Sequence, residues 1–281
     1  MAAAVAGGLR PTNQRIKRLR RLVSSRKARS EERAFVVDGP GLVAEALAAH
    51  ADATLTVEAL YLGVDADEPG LVAAASAAGI TVHVVAAGVL DSVLDPVSPR
   101  PVAAVVARTP ATLDDLTGTG PVLFLVELRD PGNVGTLVRT AEAAGAAGVV
   151  LAGPSVDPTN PKVVRAAAGA GLRLPMVRVD DPVAALDRLA VAGRHRVATA
   201  VGGDATPHDR ATLATAVIVL GNEAHGLADE VIAATDDTVT IELAGPTESL
   251  NVAAAGAVLC FEALRQRRAT EPAPDRRPSH R

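Results

Sequence analysis

Aromatic side chains are almost missing from this chain of 281 residues: three Phe, one Tyr and no Trp, 1% of the whole. Any core must therefore be filled by Val, Leu and Ala. A single cysteine, Cys260, excludes an internal disulfide and suits a reducing cytoplasm. Its place in an apolar helical pattern makes it a small buried residue. No apolar run reaches membrane-span length without Gly, Pro or charge. The opening MAAAVAGGLR lacks the basic start and long apolar centre of a signal peptide. Six His and one Cys show no metal-ligand spacing. A Walker lysine motif and a G-x-S-x-G elbow are absent, and Gly202-Gly203-Asp204 and Gly39-Pro40-Gly41 are isolated turns, not a G-x-G-x-x-G after a strand.

What is present begins with charge. The net is −4, unevenly spread. Residues 1–33 hold ten Lys/Arg and two Glu, a net of +8; residues 265–281 hold six Arg and two acids, a net of +4; the body between carries −16. An acidic body with basic ends stays soluble while touching a polyanion locally. The Pro-rich C-terminal end, residues 269–281, reads as a disordered tail. At the N-terminus the charge continues into a helix. Asn13 is placed to cap it, Ile16, Leu19, Leu22 and Val23 form its apolar stripe, and Arg15, Lys17, Arg18, Arg20 and Arg21 cover the rest. Arg26, Lys27 and Arg29 extend the patch, which reads as a nucleic-acid contact, with a solvated face as the bland alternative.

Hydrophobic content of 48% allows two domains or one large α/β domain. Short strands near 35–37, 55–62, 80–85 and 102–106 alternate with helices near 43–50, 69–78 and 88–94, a compact unit over 1–108. Residues 109–120, TPATLDDLTGTG, read as a linker. From 121 to 268, strands near 121–127, 148–152, 174–179, 195–200, 215–220 and 238–243 are interleaved with helices near 134–145, 160–168, 182–192 and 249–267. Apolar strands alternating with helices predict a parallel sheet covered on both faces.

Three stretches carry chemistry. Residues 125–151 hold the turn Pro131-Gly132-Asn133-Val134-Gly135, with Asn133 placed to cap a helix that carries Arg139. Residues 217–227 run from an apolar strand into Gly221-Asn222-Glu223-Ala224-His225-Gly226; Gly221 lets backbone approach a ligand, and Glu223 could equally cap a helix. Residues 237–268 pass from a strand over 239–243 through Gly245-Pro246 to a helix. There Thr247-Glu248-Ser249 is the expected cap, and Leu250, Ala253, Ala254, Ala257, Val258 and Phe261 are the expected apolar stripe. Free N–H groups at such a helix start can bind an anion or a polar ligand.

In this order the three stretches resemble the motifs of the SpoU (TrmH) family of RNA 2′-O-ribose methyltransferases, in the SPOUT superfamily, over residues 121–268. The resemblance implies an α/β-knot fold, with a deep trefoil at the C-terminal end that topology rules alone would not suggest. It also implies a homodimer through this domain and S-adenosyl-L-methionine as cofactor, without a metal. Asn133, Arg139, Glu223, Ser249 and Asn251 match the family's functional residues, and backbone near Gly221, Ile241 and Leu250 is where such proteins hold the cofactor. A guanidinium stays protonated, so Arg139 is expected to grip a substrate phosphate and stabilise a developing alkoxide. Lys162 and Arg165 are expected phosphate contacts along with Arg15, Lys17, Arg18 and Arg26; solvated helix charges are the alternative. Ala166-Ala167-Ala168 stand where a common family form carries Ser. Residues 1–108 resemble the ribosomal-protein-like α/β/α domain that often precedes the methyltransferase domain and binds RNA. Ribosomal RNA is the first expected substrate and transfer RNA the second. A catalytically silent RNA-binding protein is the reading from another class.

Overall fold

The computed structural model describes residues 8–94, 101–201, 204–222 and 225–270. In the first unit the order is α1 (Gln14–Ser24), α2 (Arg26–Glu32), β1 (Ala34–Asp38), α3 (Pro40–Ala51), β2 (Thr56–Gly63), α4 (Pro69–Ala77), β3 (Thr81–Val85), α5 (Val89–Val93) and β4 (Val102–Ala107). Its sheet runs β1-β4-β2-β3; β4 is antiparallel to both neighbours and β2 is parallel to β3. Asn13 caps α1 by accepting the Arg15 N–H, and Ile16, Leu19 and Leu22 are buried beneath it. Strand residues alternate between two cores: Phe35 and Val37 pack with α3 residues Val43 and Leu47, and Val36 packs with α1 and α5.

The second unit follows as β5 (Val122–Val126), α6 (Pro131–Ala143), β6 (Gly148–Ala152), α7 (Pro161–Ala166), α8 (Ala170–Arg173), β7 (Met176–Val179), α9 (Pro182–Val191), β8 (Arg196–Thr199), β9 (Thr206–Pro207), β10 (Val217–Leu220), α10 (Asp229–Ala233), β11 (Asp237–Thr240) and α11 (Val252–Thr270). The strands form one parallel sheet in the order β7-β6-β5-β10-β8-β11-β9. All five residues of β5 are buried because both faces are covered. Leu123 and Leu125 pack with Val134 and Leu137 of α6 and Leu259 and Cys260 of α11, whereas Val122, Phe124 and Val126 pack with Leu186 and Leu189 of α9. Each such side chain, fully buried, contributes about 1.5–3 kcal/mol, so Val and Leu replace the missing aromatics.

Several local expectations change. The strand over 239–243 ends at Thr240, and α11 begins at Val252 and runs on through Thr270. The helix expected over 160–168 is α7, which stops at Ala166, and a further short helix, α8, follows Gly169 at φ +89°. The buried face of α11 is Val252, Ala253, Gly256, Leu259, Cys260 and Ala263, whereas Phe261 is half-exposed and Ala254 exposed. In a helix this rich in small apolar residues both faces look alike in sequence, and only packing tells them apart. Residues 109–120 lie against the second sheet: Leu113 and Leu116 are buried, and Arg194 donates to the carbonyls of Leu116, Gly118 and Gly120. Residues 271–281, most of the expected tail, lie outside the described residues.

Candidate functional site

The carboxyl ends of β8, β10 and β11 open onto a cavity of about 470 Å³, within the usual range of roughly 300–1,000 Å³ for ligand pockets. Thr199 and Ala200 come from the end of β8, Leu220 and Gly221 from β10, and Thr240 and Ile241 from β11. Ser249, Leu250 and Asn251 close one wall, and Leu259 of α11 stands at the back. The lining is largely aliphatic and backbone, suited to a flat apolar ring held by peptide groups.

Gly221 is required by geometry. A Cβ there would meet the carbonyl carbon of Gly226 at 2.4 Å, because the loop turns back on itself: Asn222 bridges to Gly226, and Asn222 Oδ1 accepts the His225 N–H at 3.2 Å. His225 is exposed, as a surface residue. Glu223 lies outside the described residues.

The first stretch reaches the third through one hydrogen bond: Asn251 Nδ2 donates to Asn133 Oδ1 at 3.1 Å. At both helix starts the capping residue differs from the expected one. Asp130, not Asn133, caps α6, its Oδ1 accepting the Asn133 N–H at 2.7 Å. Asn133 therefore sits inside the first turn with its side chain released toward Asn251. Asn251, not Ser249, caps α11, its Oδ1 accepting from Ala253 at 2.9 Å and from Ala254 at 3.4 Å. Ser249 is exposed at the cavity wall. Arg139 lies two turns into α6, exposed and, among the described residues, without an ion-pair or hydrogen-bond partner. Its charge is available to something outside the chain.

The expected RNA contacts divide. Arg15, Lys17, Arg26 and Lys162 are exposed. Arg18 is already committed: Nε and Nη1 meet Glu32 and Glu58, each at 2.6 Å, and the hydrogen bond to Glu58 chiefly raises its pKa. Arg165 lies 3.1 Å from the buried carboxylate of Asp38, joining α7 to the end of β1. A charge pattern in sequence does not show which arginines find internal carboxylates. The cavity residues Thr199, Ala200, Val239 and Thr240 were missed as well. Their one signal is position at the carboxyl ends of parallel strands, where ligands bind in open α/β sheets. Among the described residues no group of three or more His, Cys, Asp or Glu is placed to hold a metal ion.

Fold and cavity together define a parallel α/β domain with its ligand site beyond the strand ends, joined to a smaller mixed-sheet unit. Comparison with known proteins gives this class a family. The SpoU rRNA Methylase family model matches residues 120–261, and the MRM3-like substrate binding domain model matches residues 13–104. The 23S rRNA (guanosine(2553)-2′-O)-methyltransferase RlmP of Bacillus subtilis is 30% identical over 249 residues, 89% of this chain and 95% of that protein. An uncharacterized tRNA/rRNA methyltransferase of Synechocystis is 38% identical over 144 residues, 51% of this chain; the chain thus spans about half (53%) of that protein's length. The crystal structure of the SpoU methyltransferase AviRb from Streptomyces viridochromogenes with AdoMet superposes with a TM-score of 0.80 at 26% identity, covering 92% of this chain and 100% of that one. The chain belongs to the SpoU rRNA methylase family.

Proposed function

We propose that the protein transfers a methyl group from S-adenosyl-L-methionine to a ribose 2′-hydroxyl of RNA, with ribosomal RNA ahead of transfer RNA. The observation that carries this is the Asn251–Asn133 hydrogen bond at the rim of the cavity. It ties the first motif to the third beside Gly221 of the second. The residues fit the cofactor: the aliphatic walls suit adenine, and the glycine backbone at 221 permits close approach. When bound, S-adenosylmethionine supplies an electrophilic sulfonium methyl.

The chain's own residues do the remaining work. Gly221, Ile241 and Leu250 offer backbone and apolar surface to the cofactor. Asn133 and Asn251 hold each other's amides and so fix the entrance. Ser249 presents a hydroxyl there, and Glu223, two positions after Gly221 in the sequence, is assigned a part in the same step. Arg139, its side chain exposed and without a partner among the described residues, grips a substrate phosphate and stabilises the alkoxide as it develops, the proton leaving to a phosphate oxygen or to water. Such charge stabilisation is commonly worth about 10²–10³ in rate.

Residues 1–108 are proposed to bind the RNA, residues 109–120 to connect the domains and residues 121–268 to carry the reaction. The exposed Arg15, Lys17, Arg26 and Lys162 supply phosphate contacts; Arg18 and Arg165 contribute less because their charges are internally paired. A homodimer through the second domain is supported by the outer face of α11. Phe261 is 50% exposed there, and Ala254, two turns earlier on the helix, is exposed as well. The trefoil end is supported by β10 inserting between the earlier β5 and β8 before α11 returns to α6. A cytoplasmic site fits the single buried thiol.

The test is methyl transfer from labelled cofactor to ribosomal RNA, with 2′-O-methyl mapping in cells with and without the gene. Arg139→Ala is expected to lower kcat at least 100-fold with an unchanged thermal midpoint, and Arg139→Lys to recover only part. Full activity in Arg139→Lys would overturn a two-pronged grip on phosphate. Cofactor binding without any transfer would favour a silent RNA-binding protein.

A further inference from the structure

A second cavity, of about 400 Å³, lies at the seam of the two units, lined by α2, the connection 108–111, the loop 157–159 and α7. It shares no lining residue with the cavity at the strand ends. Its floor is apolar: Phe35 from β1, Val163, Val164 and Ala167 from the α7 region, and Leu172 and Met176 beyond. Its walls are basic. Arg26, Arg29, Arg33, Arg108 and Arg178 face Asp157 and Asp180.

One pair cancels. Arg29 meets Asp157 through Nε at 2.9 Å and Nη2 at 2.7 Å, both side chains nearly buried, and Asp157 also accepts from the backbone and hydroxyl of Thr159. Four arginines then stand against the one carboxylate of Asp180. Arg108 and Arg178 spend their N–H groups on carbonyls, those of Gly171 and Leu174 and those of Ser155 and Val156, which carry no neutralising charge. Burial lowers the pKa of both, and Arg26 adds like-charge repulsion on Arg178. Arg26 and Arg33 are exposed at the rim, and their side chains have no hydrogen-bond or ion-pair partner among the described residues. The site has positive charge in surplus beside an apolar floor.

We propose that this seam cavity binds one nucleotide, its phosphate on Arg26, Arg33 and Arg178 and its base against Phe35, Leu172 and Met176. A lone phosphate would leave the apolar floor wet, and an uncharged nucleoside would leave the arginines unmatched. A nucleotide satisfies both, and the hydroxyls of Ser30 and Thr109 are placed for its polar edges. The nucleotide is either a residue of an RNA chain or a free mononucleotide. The site stands independently of methyl transfer.

Calorimetry on the full chain, saturated with S-adenosylmethionine, would compare the four nucleoside 5′-monophosphates with inorganic phosphate and with uncharged nucleosides. At least one monophosphate is expected to bind tenfold or more tightly than either fragment, and tripled salt is expected to weaken it severalfold. Arg33→Glu should cut affinity at least tenfold and Arg33→Lys restore part of it. Thr109→Trp, a bulky change at an exposed rim position, should block binding without touching a charge. A photoreactive nucleotide within an RNA fragment that cross-links to residues 158–178 assigns the site to the RNA chain; saturation by monophosphate with no such cross-link assigns it to a free nucleotide. Binding that both variants leave unchanged, or no binding by monophosphate or RNA, overturns the site.

Discussion

Asn251 uses both ends of its amide. The oxygen accepts the first N–H groups of α11, and the nitrogen donates to Asn133 on α6. Removing a cap of this kind costs about 0.5–2 kcal/mol, so a variant here tests stability and site together. Asp236 isolates electrostatics more cleanly. Its hydrogen bond from Arg196 holds the carboxyl at about 2, below the usual 3.9 or so; His195 lies 3.6 Å away and Arg196 Nη2 2.7 Å away. A depressed folded pKa contributes stability above the unfolded pKa and loses it as pH falls toward the folded value. Asp236→Asn is therefore expected to be less stable than the parent at pH 7, with the gap closing between pH of about 4 and about 2. With Asp236 38% exposed, solvent keeps the effect modest. Denaturant midpoints across that range check it, and a gap independent of pH would refute it.

At the scale of elements, two glycines in helices make opposite demands. A Cβ on Gly135 of α6 would lie 2.3 Å from Ala166 Cβ and 2.9 Å from the Ala167 nitrogen, so backbone of the α7 region would have to move. A Cβ on Gly41 of α3 meets nothing within 4 Å. Gly135→Ala should destabilise by about 1–3 kcal/mol through overpacking. Gly41→Ala should stabilise by up to about 1 kcal/mol through helix propensity. Urea unfolding of the pair measures both, and equal effects would show that the α6–α7 contact yields easily. The sequence shows why α6 and α7 are helices but not that Gly135 is their point of closest approach, since small residues fill both. The short β9 escaped notice because two residues carry no readable period.

Across the whole molecule, the two units are fastened by charge and by shared core. Val164 and Leu172 of the second unit pack into the core of the first. Arg29–Asp157, Arg165–Asp38 and Arg173–Glu45 cross the seam. Asp157→Ala leaves the Arg29 charge buried and is expected to cost about 3–5 kcal/mol, whereas Arg29→Met with Asp157→Leu should cost far less. Chemical denaturation of the three proteins decides, and a double variant as unstable as the single one would show that the pair itself holds the seam. For the proposed dimer, Phe261→Asp on the outer face of α11 is expected to give monomers in sedimentation; an unchanged mass would place the contact elsewhere.

By itself the amino-acid sequence determined the local elements and the identity of the three loops, because hydrophobic period, capping residues and glycines act over a few neighbours. It placed Ile16, Leu19 and Leu22 beneath α1 and Cys260 in the core for that reason. Only the tertiary structure decided which face of α11 is inward, which arginines are neutralised, that Asn251 meets Asn133 across 118 positions, and that a basic cavity opens at the seam. Those facts depend on groups far apart in the chain, and local pattern holds no record of what the fold brings opposite them.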